Sequence, residues 1–347
     1  MRTGYITFPG YSIFLLLGLI LLSPKIVLAE EVSEQPIEPQ KMMEIMPERI
    51  PEVEVESKSK IFAVIDGPRD YLSEKIVTYS KAVDEFFGDP RYFQENNKSL
   101  IQLELNQIFA QGGNRSFLFE GKAKLDLPAA QRRFQIVLES NPEQKTAGET
   151  KKDQPSAARE TAKPEQYAAS VRYEQSEESR WHFSSDAGAK FQFPLDFFVR
   201  ARGSYSVPFE IWRFKVAETV FWFGTIGLGQ TTQLDLERKL SEPVLFRATS
   251  TATCLEAPQN CDLRQDFSIF HTLNERSAML YQASVIGVSE PDPKETAYVL
   301  LMKYRYRLHK DWVFFEISPQ MNFPRTDDFR LNASLLLRLE ILFGAKQ

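Results

Sequence analysis

Two hydrophobic periods run along this chain, and one replaces the other near residue 99. Before that point Leu72, Ile76, Tyr79, Val83 and Phe86 recur at spacings of three and four, after a start signal at Asp66-Gly67-Pro68 and before a stop at Gly88. That spacing predicts one amphipathic helix of roughly five turns. Beyond residue 99 the period is two. Phe117, Phe119, Gly121, Ala123, Leu125 and Leu127 share one face, and Leu118, Glu120, Lys122, Lys124 and Asp126 the other. Such a strand is wet on one side only. Trp181, Phe183, Ala187, Ala189, Phe191 and Phe193 repeat the pattern against His182, Ser184, Asp186, Lys190 and Gln192. Near the carboxyl end, Leu300, Met302, Tyr304, Tyr306 and Leu308 oppose Leu301, Lys303, Arg305 and Arg307, and Ala333, Leu335, Leu337, Leu339, Ile341 and Phe343 oppose Ser334, Arg338 and Glu340.

Alternating segments fall near 99–110, 116–127, 132–140, 167–174, 180–193, 197–207, 210–223, 228–238, 243–253, 264–273, 277–289, 296–308, 311–322 and 331–343, fourteen in all, with twelve as the alternative count. Many exceed the roughly five or six residues of an average strand and match the 9–11 that cross a bilayer at a tilt. In water such apolar faces would aggregate, whereas lipid requires them, and only a closed barrel or a helix satisfies every backbone group there. The expected fold is all-β: an antiparallel transmembrane β-barrel of about 14 strands with one N-terminal amphipathic helix. An even count brings both chain ends to one side. Short turns at 128–131, 176–179, 241–243, 274–277 and 309–311 alternate with longer polar loops at 142–166, 254–265 and 290–295. Trp181, Phe193, Trp212, Trp222, Tyr298 and Phe343, at the ends of runs, suit interfacial girdles. Glu218 falls on the lipid face if the period holds, so a bulge near Ala217 or an interfacial position is expected. The face of His271 stays open.

Composition adds an address. Arg2 precedes an apolar core, Ile13 to Leu22, followed by Val27-Leu28-Ala29, so residues 1–29 are read as a signal peptide for the general secretory route, too short to be a spanning anchor. Residues 30–60 carry nine Glu, four Pro and no aromatic residue, the signature of a disordered acidic Pro-rich linker. Residues 61–98 form the amphipathic helix segment and 99–347 the barrel. Three partners fit the helix's apolar stripe: the rest of the protein, the membrane surface, or the barrel lumen with the helix as a plug. The whole chain has 42 basic and 47 acidic residues, a net charge of −5, which argues against a nucleic-acid partner. Three His and two Cys leave little material for a metal centre, and no cofactor is expected. Oligomeric state is left open.

The signal segment, the sustained alternation, and the terminal run Leu335-Leu336-Leu337-Arg338-Leu339-Glu340-Ile341-Leu342-Phe343 resemble outer-membrane β-barrel proteins of Gram-negative bacteria. Phe86-Phe87-Gly88-Asp89 and Trp312-Val313-Phe314-Phe315-Glu316-Ile317-Ser318-Pro319 look like an uncharacterised proteobacterial barrel family, which brings no activity to carry over. The resemblance implies residence in the outer-membrane lipid bilayer and insertion by the barrel-insertion machinery through the carboxy-terminal strand. Phe343 is followed by Gly344-Ala345-Lys346-Gln347, a departure from the family's usual terminal aromatic.

Candidate chemistry lies in the lumen. Inward positions carry Lys122, Lys124, Arg200, Arg202, Arg213, Lys215, Arg247, Lys303, Arg305, Arg307 and Arg338 against Glu120, Asp126, Asp186, Asp235, Glu237, Glu316 and Glu340. A barrel of this strand count stands between filled and water-filled ones, so a narrow passive, anion-leaning channel and a structural barrel closed by paired charges are both expected readings. A lipid-acting enzyme is the alternative, because His182-Phe183-Ser184 has the spacing of the His and Ser of outer-membrane phospholipase A. Here that pair is expected to face the lumen, and the following strand offers Arg200, Arg202 and Ser204 but no Asn; no catalytic residue is therefore assigned. Cys254 and Cys261 are expected to form a disulfide across an external loop, with free thiols as the alternative.

Overall fold

The structure is a computed structural model that describes residues 78–88, 93, 99–126, 133–142, 166–177, 180–209, 211–256, 260–290, 293–309 and 312–344. The expected signal peptide, the acidic linker and the first turns of the helix lie outside the described residues. Helix α1 spans residues 78–87. Fourteen strands follow: β1 Leu100–Ala110, β2 Arg115–Asp126, β3 Phe134–Ser140, β4 Tyr167–Glu177, β5 Trp181–Lys190, β6 Asp196–Phe209, β7 Trp212–Phe223, β8 Gly227–Ser241, β9 Val244–Leu255, β10 Asn260–Asn274, β11 Ser277–Val288, β12 Lys294–His309, β13 Val313–Pro324 and β14 Asn332–Gly344.

Each strand pairs antiparallel with its sequence neighbours, and β1 closes on β14 from Leu100↔Gly344 to Ala110↔Ser334. Closure leaves no open edge, so every strand has a backbone partner on both sides. The fourteen strands agree with the larger of the two sequence-based counts. The start of β1 and the end of β14 lie at one end of the barrel, here termed the terminal end; the connections between β1 and β2, β3 and β4, and so on alternately, lie at the far end.

Alternation decides which way each strand faces. Along β7 the buried and less buried positions alternate without interruption, placing Arg213, Lys215, Thr219 and Phe221 inward and Trp212, Phe214, Val216, Val220 and Trp222 outward. The pairing of β7 with β6 and β8 runs unbroken from Trp212 to Phe223. The expected bulge near Ala217 is therefore absent from β7: Glu218 faces outward at mid-strand, its Oε2 accepting from Thr232 Oγ1 at 2.7 Å. Local bonding to a neighbouring hydroxyl takes the place of a register shift. His271 also faces outward, near the terminal end of β10.

The expected disulfide is present, and the departure lies in the loop that carries it. Cys254 and Cys261 are directly opposite each other in the β9–β10 hairpin and form a disulfide. The loop expected at 254–265 contracts to 256–259, because β10 begins four residues before its predicted start. Asn260, Cys261, Asp262 and Leu263 alternate polar and apolar, but the polar run Arg264-Gln265-Asp266 separates them from the alternation that follows.

Candidate functional site

The interior is polar and the exterior apolar. Arg247, Arg305, Lys124, Lys190, Glu237, Glu316 and Glu340 are almost completely buried, while Phe117, Trp181, Phe193 and Phe197 are more than half exposed. Water-soluble proteins show the opposite arrangement. Aromatic residues collect at both rims, with Trp181 against Tyr205 and Trp312 against Phe343 at the terminal end and Tyr298 against Phe329 at the far end. The fold is that of a transmembrane β-barrel.

Inside, α1 lies against the wall at the terminal end. Its residues Ser80, Val83, Asp84 and Phe87 are buried, and Thr78, Lys81, Ala82 and Glu85 are exposed. Val83 and Phe87 pack with the inward Leu245, Phe270, Ala278 and Leu280. Phe87 stands edge-on to Phe270 at 5.4 Å, and Phe86 edge-on to Phe314 at 5.8 Å. Polar bonds flank this apolar seam. Arg247 Nη2 donates to Asp84 Oδ1 at 2.7 Å and to Ser80 Oγ at 3.1 Å, and Arg247 Nε donates to Glu237 Oε1 at 2.6 Å. Ser80 Oγ in turn donates to Glu237 Oε2 at 2.8 Å, and Tyr79 shares a hydrogen bond with Thr272 at 3.1 Å. Of the three partners the sequence allowed for this stripe, these contacts select the inward wall of the barrel.

Gly88 ends the helix with a φ of +61°, a left-handed conformation that favours glycine, and its N–H donates to the Glu85 carbonyl at 3.2 Å. A Cβ added there would come within 2.8 Å of Glu340 Oε1. The helix end thus abuts a second group of charges. Arg305 grips Glu340 through Nη1 and Nη2, both at 2.8 Å, and Glu316 lies 3.5 Å from Arg305 Nη1. Lys303 and Arg338 also reach Glu316, at 3.5 and 3.7 Å. Arg338 extends the group to Glu104 at 3.5 Å and to Asn106 at 2.8 Å. Arg307 lies over Phe86 at 5.5 Å and so also borders the helix.

A third group lines β2 to β6. Arg200 binds Asp186 and, at 2.5 Å, Glu139; Arg172 reaches Asp186 at 3.2 Å. Lys124 pairs with Glu174 at 2.8 Å, and His182 Nε2 meets the other oxygen of Glu174 at 2.6 Å. Lys122 lies over the Phe93 ring at 5.7 Å. Arg213 donates to Ser206 at 2.8 Å and pairs with Glu237 at 3.2 Å; Arg202 donates to Thr219 at 3.1 Å; Lys215 is buried on the same inward face. His182 and Ser184 both face inward, and the imidazole is engaged by Glu174.

Of the basic residues singled out from sequence, Lys124, Arg200, Arg213, Arg247, Lys303, Arg305 and Arg338 meet acid partners, several of which carry no motif of their own: Glu104, Glu139 and Glu174 on the wall and Asp84 on the helix. Asp84 had a readable signal. It stands four residues after Ser80 and next to Val83 and Phe87, so one helical face carries two polar groups within its apolar stripe.

No protein family and no curated protein matches the sequence. Among solved structures the chain is similar to outer-membrane expressed OmpT of Vibrio cholerae, at 7% identity over 71% of this chain and 97% of that one, with a TM-score of 0.45. It is also similar to the outer membrane channel DcaP of Acinetobacter baumannii, at 8% identity over 71% and 96% of the two chains and a TM-score of 0.40. The NanC porin is a further likeness, at 8% identity over 69% and 98% and a TM-score of 0.38. At these identities the likeness concerns the fold alone.

Proposed function

We propose that the chain is an outer-membrane barrel whose passive channel is held closed at the terminal end by its own amino-terminal helix. The docking of α1 on inward residues through Arg247, Asp84, Ser80 and Glu237 carries this reading. Buried ion pairs support the closed state, because side chains lining a water-filled pore would be wet, whereas Arg305 and Arg247 are 0% and 2% exposed. Export through the signal segment, the terminal end facing the periplasm, and insertion through β14 belong to the same reading. An anion preference draws less support, since the basic ladder is neutralised at Arg172, Arg200, Arg247, Arg305 and Arg338. The lipid-acting alternative is disfavoured because His182 and Ser184 face the lumen and not lipid.

A second reading is a filled structural barrel, favoured by the same pairing of charges. Single-channel conductance of the refolded mature chain in a planar bilayer, with and without residues 30–97, separates the two. Sparse openings from the whole chain and frequent, larger steps after the deletion are the expected result. Silence from both, with folding verified by resistance to heat on a gel, would leave the structural barrel.

A further inference from the structure

The outward column of β7 reads Trp212, Phe214, Val216, Glu218, Val220, Trp222. Glu218 therefore stands between two tryptophans of the rims, inside the band that faces hydrocarbon. Elsewhere among the described residues, outward ionisable groups such as Arg115, Arg238 and His271 lie toward strand ends, where headgroups and water are in reach. A carboxyl in the apolar band is costly, because lipid offers neither charge nor hydrogen bond.

Glu218 is also not isolated. Gln230 and Thr232 on β8, Ser250 on β9 and Gln265 on β10 face the same way, each within two residues of the ladder row Glu218, Thr232, Ala252, Leu263. Within the patch Thr232 donates to Glu218, and Ser250 Oγ donates to Gln265 Oε1 at 2.5 Å. Low relief surrounds it: Gly203 is opposite Glu218 and Ala252 opposite Thr232, and a Cβ built on Gly203 would touch nothing within 4 Å. Small residues that permit close approach, set beside polar groups that bond across the contact, are what helps proteins associate within a membrane.

We propose that the outward face of β7 to β10 is where a second copy of this chain docks. Copies in one membrane share one orientation, so a two-fold axis between them runs along the membrane normal and turns β7 of one toward β10 of the other. The patch is self-complementary under that operation. Its β7 edge ends in a carboxyl, an acceptor, and its β10 edge in a carboxamide, a donor, so Glu218 of each copy meets Gln265 of its partner. This docking rests on the membrane position of the barrel and not on whether the lumen conducts.

The test is the number of fluorophore bleaching steps per particle for the full mature chain, reconstituted in lipid vesicles at high dilution. Two-step particles are expected for the natural chain and for Glu218→Gln, which keeps a hydrogen-bonding group. Glu218→Leu should weaken association at least tenfold, while Leu103→Ala, on the outward face of the far wall, should leave it unchanged. If Glu218→Leu fails to give a heat-resistant folded form, Ser250→Leu with Gln265→Leu replaces it with the same expectation. Single-step particles for the natural chain overturn the proposal, whatever else the patch binds. Dimers that survive both the β7 and the β10 substitutions overturn it as well.

Discussion

Arg247 on the wall and Asp84 on the helix meet at 2.7 Å between Nη2 and Oδ1, linking positions far apart in sequence inside a closed ring of strands. The pair is buried, and Arg247 simultaneously binds Glu237. Removing one member of a buried pair is strongly destabilising because the remaining charge is left without compensation, about 3–5 kcal/mol. Asp84→Ala should cost less than that, since Arg247 keeps Glu237. The expected outcome is an intact barrel whose helix undocks more often, read as a rise in open-channel frequency in single-channel records with the heat-resistant gel form unchanged.

Gly88 couples the helix end to the Arg305–Glu340 pair. Gly88→Ala must hold an L residue in the left-handed region, at about 1–2 kcal/mol, and must also displace a carboxylate that holds Arg305 by two bonds. The helix segment should become more accessible to protease, while hydrogen exchange in β12 and β14 changes little.

Arg305 and Glu340 form a two-bond pair with almost no exposure. Arg305→Ala leaves the buried Glu340 without the guanidinium that holds it by two bonds, so a loss of about 3–5 kcal/mol in denaturant midpoint experiments is expected. Arg305→Met combined with Glu340→Leu should lose markedly less than the two single changes added together, because Glu316 retains Lys303 and Arg338. Additive losses would mean that the pair is not coupled.

The Cys254–Cys261 disulfide joins residues already opposite each other in the β9–β10 ladder, with a sequence separation of 7. So short a loop limits its stabilisation to about 2.5 kcal/mol on the chain-entropy account. Replacing both cysteines by serine should lower the thermal midpoint modestly and leave conductance unchanged.

Much of the barrel was legible in one dimension because its outside is a uniform solvent. Lipid asks every second residue of every strand to be apolar, and that demand is local, so β7, β12 and β14 can be recognised from their own residues. Where the demand lapses the reading fails: Gln265 puts a polar group on the outward face of β10, and the strand begins at Asn260, upstream of the polar run Arg264-Gln265-Asp266 that interrupts its pattern. Glu218 broke the pattern, which invited a bulge that the structure does not contain.

The partners inside the barrel were not legible. That Arg200, Arg305 and Arg338 point inward follows from alternation; that they meet Glu139, Glu340 and Glu104 follows from closure and register, which bring together residues far apart in sequence. The helix shows the same division. Its spacing of Tyr79, Val83 and Phe86 determined that it would be amphipathic and would need a partner. Only the closed ring, with Leu245 and Phe270 turned inward and Arg247 set beside Asp84, decided that the partner is the lumen wall, because a helical stripe encodes the need for burial and not the surface that meets it.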